Sequence, residues 1–233
     1  MALEITPEIH SALERLEDRR EKLLELGKAM MEASNRAMYP VDLLAIGALK
    51  RTISTVAGIK QLIQASNMIC VRTILRTQID TALKFYSVYL VKDSQSHALK
   101  ILSGNQIDRI KDSDGKQMTD AYLVQKMSEE YPWVSDVYKN LSSYINFSDR
   151  HFFNPVQRLD NENRSIDFAI QEEFPESSWV EIVDCLNGSI DILIKYLEWW
   201  IFTKANPELI AEKREDRNGE PINSADPEGW DAD

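Results

Sequence analysis

Apolar side chains return every three or four positions along most of this chain, the period that places them on one face of an α-helix. Thr6–Pro7 opens the first run, with a hydroxyl able to cap the turn and a proline whose missing N–H is no loss there. Ile9, Leu13, Leu16, Leu23, Leu24, Met30 and Met31 then predict one long helix over roughly 7–36. Tyr39–Pro40 breaks it, because the residue before a proline is pushed out of helical geometry. A second helix is expected over 41–67. Asn67 either interrupts it or marks the turn into a third over 68–93, where Ile69, Val71, Ile74, Leu75, Ile79, Leu83, Tyr86 and Leu90 repeat. A tight joint would make the two an antiparallel pair.

The middle of the chain is less regular. "SHALKILSGNQIDRIKD" predicts a helix weakened at Gly104–Asn105, "SDGKQ" a turn, and "QMTDAYLVQKMSEEY" a helix ending before Pro132. In "WVSDVYKNLSSYINFSD", Val134, Val137, Leu141, Tyr144 and Ile145 share a helical face. The period then changes. "VQRLD" and "SIDFAIQ" alternate around a turn-like "NENR", which predicts a β-hairpin at 156–171. A last helix of about 26 residues follows, capped by Ser177 or Ser178. Its cluster Tyr196, Trp199, Trp200 and Phe202 has helical spacing and apolar neighbours, so it reads as core or a dimer seam before a base-stacking platform. The predicted fold is mainly α: a bundle of about six or seven helices with one small inserted β-hairpin, spanning 1–205. An acidic tail, 206–233, follows without apolar periodicity.

Composition fits that architecture. The chain has 233 residues, 43% hydrophobic, with eight glycines and eight prolines, enough to bury one sizeable core. Cys70 and Cys185 sit singly in apolar segments, which reads as two buried thiols in a reducing cytoplasm. There is no basic start followed by an apolar run and no window of about 18 apolar residues, so no membrane is expected. Glycine-rich phosphate loops, zinc spacings, a Glu-x-x-His bundle signature and a nucleophile elbow are all missing from the sequence, and no cofactor or metal is expected.

Charge adds a local asymmetry. The net charge of −11 disfavours broad phosphate-backbone binding. Residues 206–233 carry nine acidic and three basic side chains, and the lone Trp230 there suggests docking on a groove or a protein partner. Between Asp42 and Asp80 there is no acid at all, while Lys50, Arg51, Lys60, Arg72 and Arg76 are basic. Either these helices are largely buried, or they line a positive groove facing an anion.

Within that stretch, "RTILRTQID" sets Arg72, Arg76 and Asp80 four apart on one helix face. They form either a surface ion pair or, given the apolar neighbours, a partly buried pair forming one wall of a pocket. The longer stretch around that segment, "ICVRTILRTQIDTALKFYSVYL", and "YKNLSSYINFSDRHFF" together resemble the HEPN superfamily of small helical-bundle proteins, in particular an uncharacterised bacterial branch. There one helix carries Arg-x-x-x-Glu and a later one reads roughly Tyr-x-x-Leu-Ser-x-Tyr-Val-His-x-Ser-x-x-His. Arg76 and Asp80 match the first pattern, with Asp for Glu. Tyr138, Leu141, Ser142, Tyr144, Ile145, Ser148 and His151 match the second. The resemblance follows the element order over roughly 40–205 and is specific over the two short segments.

The resemblance implies a homodimer and, in the family's nucleases, metal-free RNA cleavage by paired Arg-x4–6-His motifs. Such chemistry needs a group that moves a proton and a cation that stabilises the charged phosphorane. Here Lys139 stands for the arginine and Asn146 for the histidine. Lysine keeps the charge without the bidentate fork, and asparagine cannot act as acid or base. His151 is a substitute by position, or a helix-end histidine. The expected function is therefore a non-catalytic binding or regulatory homodimer, in bacterial defence or stress response. Its binding residues would come from Arg72, Arg76, Asp80, Tyr138, Asn140 and Tyr144, and its catalytic candidates are Lys139, Asn146 and His151. The alternatives are a divergent ribonuclease of RNA, toxin-like, using Arg72, Arg76, Lys139 and His151, and an antitoxin-type inhibitor whose acidic tail blocks a basic partner.

Overall fold

The computed structural model describes residues 5–145, 156–160, 164–168 and 174–208; the side chains of 143–145, 156–160 and 165–168 are not described. Seven α-helices lie among the described residues: α1 (Pro7–Glu32), α2 (Pro40–Gln64), α3 (Met68–Tyr86), α4 (Ser94–Leu102), α5 (Asp120–Ser128), α6 (Trp133–Ile145) and α7 (Glu176–Ala205). Two short strands, β1 (Val156–Asp160) and β2 (Ser165–Phe168), pair antiparallel with Asp160 opposite Ser165 and a register irregularity between Val156 and Arg158. The rest of the expected 156–171 hairpin, at 161–163 and 169–171, lies outside the described residues, as does the tail from 209 to 233. Among the described residues, no helix is long and apolar enough to cross a membrane.

The long helices begin and end for local reasons. Thr6 caps α1 by accepting from Ile9 N. That helix stops at Glu32, short of the expected residue 36, because Ser34, Asn35 and Arg36 are left-handed (φ 54°, 53° and 65°) and the chain turns through Ala33–Arg36. Asn67 caps α3, accepting from Cys70 N, so it is the joint between two helices and not a flaw in one. α3 ends at Tyr86 and tightens into a 3₁₀ turn over Ser87–Tyr89 where continued helix to 93 was expected. Gly104, at φ +90°, ends α4, and its neighbour Asn105 N donates to Lys100 O in the manner of a Schellman stop. The "SDGKQ" turn forms around Asp112, whose carboxylate accepts from Asp114 N and Lys116 N. α7 differs from expectation at its start: Pro175 holds the N-cap position and no serine side chain caps it.

The core is built mainly from α1, α2, α3 and α7. Buried Ile9, Leu16, Leu23 and Met30 recur every seven residues on α1. On α7, Val183, Leu186, Ile190, Leu193, Leu197 and Trp200 alternate three and four apart in the same way. Leu24 and Met31 fall off that seam and are exposed. The two helices run parallel. Arg15 pairs with Asp184 at 2.6 Å, Arg19 with Asp191 at 2.6 Å and Lys22 with Glu198 at 3.0 Å, so the partners advance together along both chains. Being half-exposed, these pairs fix register more than they add stability, each worth roughly a few tenths of a kcal/mol. α2 returns antiparallel, with Lys60 meeting Glu17 at 2.6 Å.

One charged pair is sealed inside. Asp42 and Lys204 have wholly buried side chains and meet at 2.9 Å. The Asp42 carboxylate also accepts from Tyr39 N at 2.8 Å and from Trp200 Nε1 at 2.8 Å, while Lys204 Nζ donates to Met30 O at 2.8 Å. The end of α1, the start of α2 and the end of α7 therefore share one hydrogen-bonded hub. Tyr196 and Trp200 are buried as the aromatic cluster predicts, but Phe202 is exposed. The thiol expectation divides: Cys185 is half-buried and pushed up to about 11, chiefly by burial, whereas Cys70 is exposed on the first turn of α3, where the helix turns that position outward.

Lys204→Met leaves Asp42 charged and unpaired in the core, which is expected to cost about 3–5 kcal/mol in urea unfolding. Asp42→Asn combined with Lys204→Met is expected to recover most of that loss. A second prediction concerns His97, buried on α4. Ser87 Oγ donates to Lys84 O at 2.6 Å, so His97 Nε2–H must donate to Ser87 Oγ across 2.9 Å. Burial, helped by the charge of Lys100, lowers the ring from 6.5 to about 4, so it is neutral near pH 7. The unfolded chain binds this proton first as pH falls. Stability is whole above about 6.5 and drops by about 3 kcal/mol on the way to pH 4. His97→Leu is expected to flatten that part of the pH–stability curve.

Candidate functional site

Arg72, Arg76, Asp80 and Lys84 stand four apart along α3 and form a polar ridge. Behind them Val71, Leu75, Ile79 and Leu83 turn into the core. The ridge faces α5, α6 and the segment leading into α7, and each of its charges meets a specific partner. Arg72 lies over the Phe174 ring, 5.0 Å from its centroid. Lys84 pairs with Asp120 at the start of α5.

Arg76 is the centre of the ridge. It is buried, 8% exposed, and its guanidinium sits 3.4 Å from the centroid of the Tyr138 ring. Nη1 forms a close ion pair with Asp80, although that nitrogen makes no well-directed hydrogen bond. Nε reaches toward Ser142 Oγ at 3.4 Å, and Tyr138 OH toward Asp80 Oδ1 at 3.4 Å. Ser142 Oγ in turn donates to Tyr138 O at 2.8 Å. Burial and then the Asp80 charge push the Tyr138 hydroxyl above its ordinary range, so it stays protonated and able to donate. Stacking, pairing and hydrogen bonding thus enclose the guanidinium between α3 and α6. The arrangement clamps two helices and leaves the arginine little freedom to reach outward.

The residues expected in the site divide accordingly. Arg76, Asp80 and Tyr138 come together, joined by Ser142. Arg72 stands one turn away over Phe174. Lys139 and Asn140 are exposed on α6. Tyr144 lies in the last turn of α6, where only the backbone is described, and Asn146 and His151 lie outside the described residues. Among the described residues, no group of three or more His, Cys, Asp or Glu side chains is placed to hold a metal ion.

Two features escaped the sequence reading. Lys84 continues the ridge and could have been found by extending the four-residue spacing one step. Gln78 is wholly buried on α3 with neither amide atom hydrogen-bonded, and nothing in its sequence context marks it. Of the basic residues in the acid-free stretch, Lys60 and Arg76 are paired, whereas Lys50 and Arg51 are exposed on α2.

Arg76→Ala is expected to lower stability by about 2–4 kcal/mol, since it leaves Asp80 unpaired and opens the α3–α6 contact. Lys139→Ala, on an exposed face, is expected to stay within about 0.5 kcal/mol of the parent. Thermal or urea melts that reverse this order would show that Arg76 does not clamp the helices. No protein-family model, curated protein or solved structure matches this chain.

Proposed function

We propose that this chain is a HEPN-like helical bundle that binds or regulates rather than cleaves, acting as a homodimer in bacterial defence or stress response. The enclosure of Arg76 carries the reading. A phosphorane-stabilising cation has to meet the substrate, and this one is buried and held by Asp80, Tyr138 and Ser142. The motif that carries the resemblance therefore serves helix packing. The sequence adds that Asn146, where the superfamily's nucleases place a histidine, has no proton to exchange near neutrality.

Dimer formation is supported by apolar side chains left in solvent. Leu43 (50% exposed), Ile46, Leu99 (53%) and Leu102 stand out from the adjoining helices α2 and α4. A second copy would take that surface out of water. The ribonuclease alternative needs Arg72, Arg76, Lys139 and His151 to gather on one phosphate, which would pull Arg76 out of its clamp at the expense of the fold.

Purified protein incubated with structured and single-stranded RNA is expected to leave both intact while running as a dimer in light scattering. RNA cleavage that disappears in a Lys139→Ala, His151→Ala variant would overturn the non-catalytic reading. A monomer at micromolar concentration would overturn the homodimer.

A further inference from the structure

The far side of the α3 ridge opens on a cavity of about 410 Å³, within the size range of small-molecule sites. It lies between α2, α3, the end of α4, the 3₁₀ turn Ile107–Arg109 and the start of α5. Its origin is visible in α2, where Gly47 and Ala48 present almost no side chain to the space. A Cβ built on Gly47 would meet nothing within 4 Å. Leu44, Phe85, Ile101 and Ile107 supply an apolar wall.

The charge of the lining is specific. Asp80 is held by Arg76 and Asp120 by Lys84, so both carboxylates in the cavity are already neutralised. Arg51 is exposed at the mouth and, among the described residues, has no carboxylate partner. No acid lies anywhere between Asp42 and Asp80 in the sequence to supply one locally. The cavity thus combines an apolar wall with one uncompensated guanidinium, whose planar fork matches a carboxylate in bidentate fashion.

We propose that this cavity binds a small carboxylate with an apolar body, its carboxylate on Arg51 and its body against Leu44, Phe85, Ile101 and Ile107. The inference does not depend on the HEPN-like reading, because none of these residues belongs to the resembling motifs, nor on dimerisation, because none of them is among Leu43, Ile46, Leu99 and Leu102.

The test uses the full chain and 3-phenylpropionate as probe, followed by ligand-observed NMR titration. The neutral 3-phenylpropanol, the cationic 3-phenylpropylamine and phenyl phosphate run in parallel. The carboxylate is expected to bind at least about tenfold more tightly than the alcohol, and the amine not to compete with it. Arg51→Gln should bring the carboxylate down to the level of the alcohol, because Arg51 is exposed and its loss leaves the fold intact. Gly47→Leu should abolish binding by filling the cavity, at no cost in helix propensity. Unchanged affinity in either folded variant, equal binding of alcohol and carboxylate, or binding of phenyl phosphate alone would each overturn the proposal. So would no carboxylate binding at millimolar probe. An active ribonuclease or a monomer would leave these expectations standing, so failure here is separable from failure of the functional reading above.

Discussion

Asp42 and Lys204 are two charges in a place without water, and the arrangement of the bundle follows from keeping them together. Removing either ion from solvent costs several kcal/mol, which the pair alone does not return. What completes the compensation is the set of surrounding donors and acceptors: Tyr39 N and Trp200 Nε1 on the carboxylate, Met30 O on the ammonium. Those groups come from three helix ends that are far apart in sequence. The pair can be satisfied only if α1 ends, α2 begins and α7 finishes at the same point. A hydrophobic seam by itself would tolerate a slip of one heptad between α1 and α7. The buried ions do not, since a slip strands a charge.

A second polar cluster does comparable work on the other side of the core. α3 contacts α2 and α7 through its apolar side and α5 and α6 through its charged ridge. The ridge holds the two short helices by stacking and pairing where there is too little apolar area to do so alone. Arg76 is suited to this because its flat, always-charged group can stack on Tyr138 while it meets Asp80. The same helix then offers its further side chains, Thr81 and Phe85 among them, to the cavity below α2. One element thus separates a closed polar contact from an open one.

How much of this could be read from the sequence depended on the range of the interaction. The long helices were legible because period and caps are local: Thr6–Pro7 and Tyr39–Pro40 mark their own boundaries. Where the reading overshot, as at Ala33–Arg36, left-handed geometry at Ser34, Asn35 and Arg36 intervened, and none of these residues demands it. The apolar neighbours of Arg76 left it either on the surface or turned inward, and the structure turns it inward. Its partners on α6 were not legible, since no local rule joins residues 62 positions apart. The burial of Lys204 against Asp42 has no local signal in the sequence, because it depends on which helices meet. The cavity was hidden for the same reason: it exists where Gly47 and Ala48 fail to fill a space bounded by four other segments.

The parallel course of α1 and α7 has a mechanical consequence. At about 1.5 Å per residue a helix the length of α7 is roughly 45 Å long, so Ile5 and Glu208 sit at opposite ends of the bundle. Tension applied between those points runs along the seam and loads its knobs and its Arg15–Asp184, Arg19–Asp191 and Lys22–Glu198 rungs all at once. Antiparallel neighbours pulled from the same end would instead peel away contact by contact. This bundle is therefore built to resist in shear, with its sealed ion pair loaded together with the rungs.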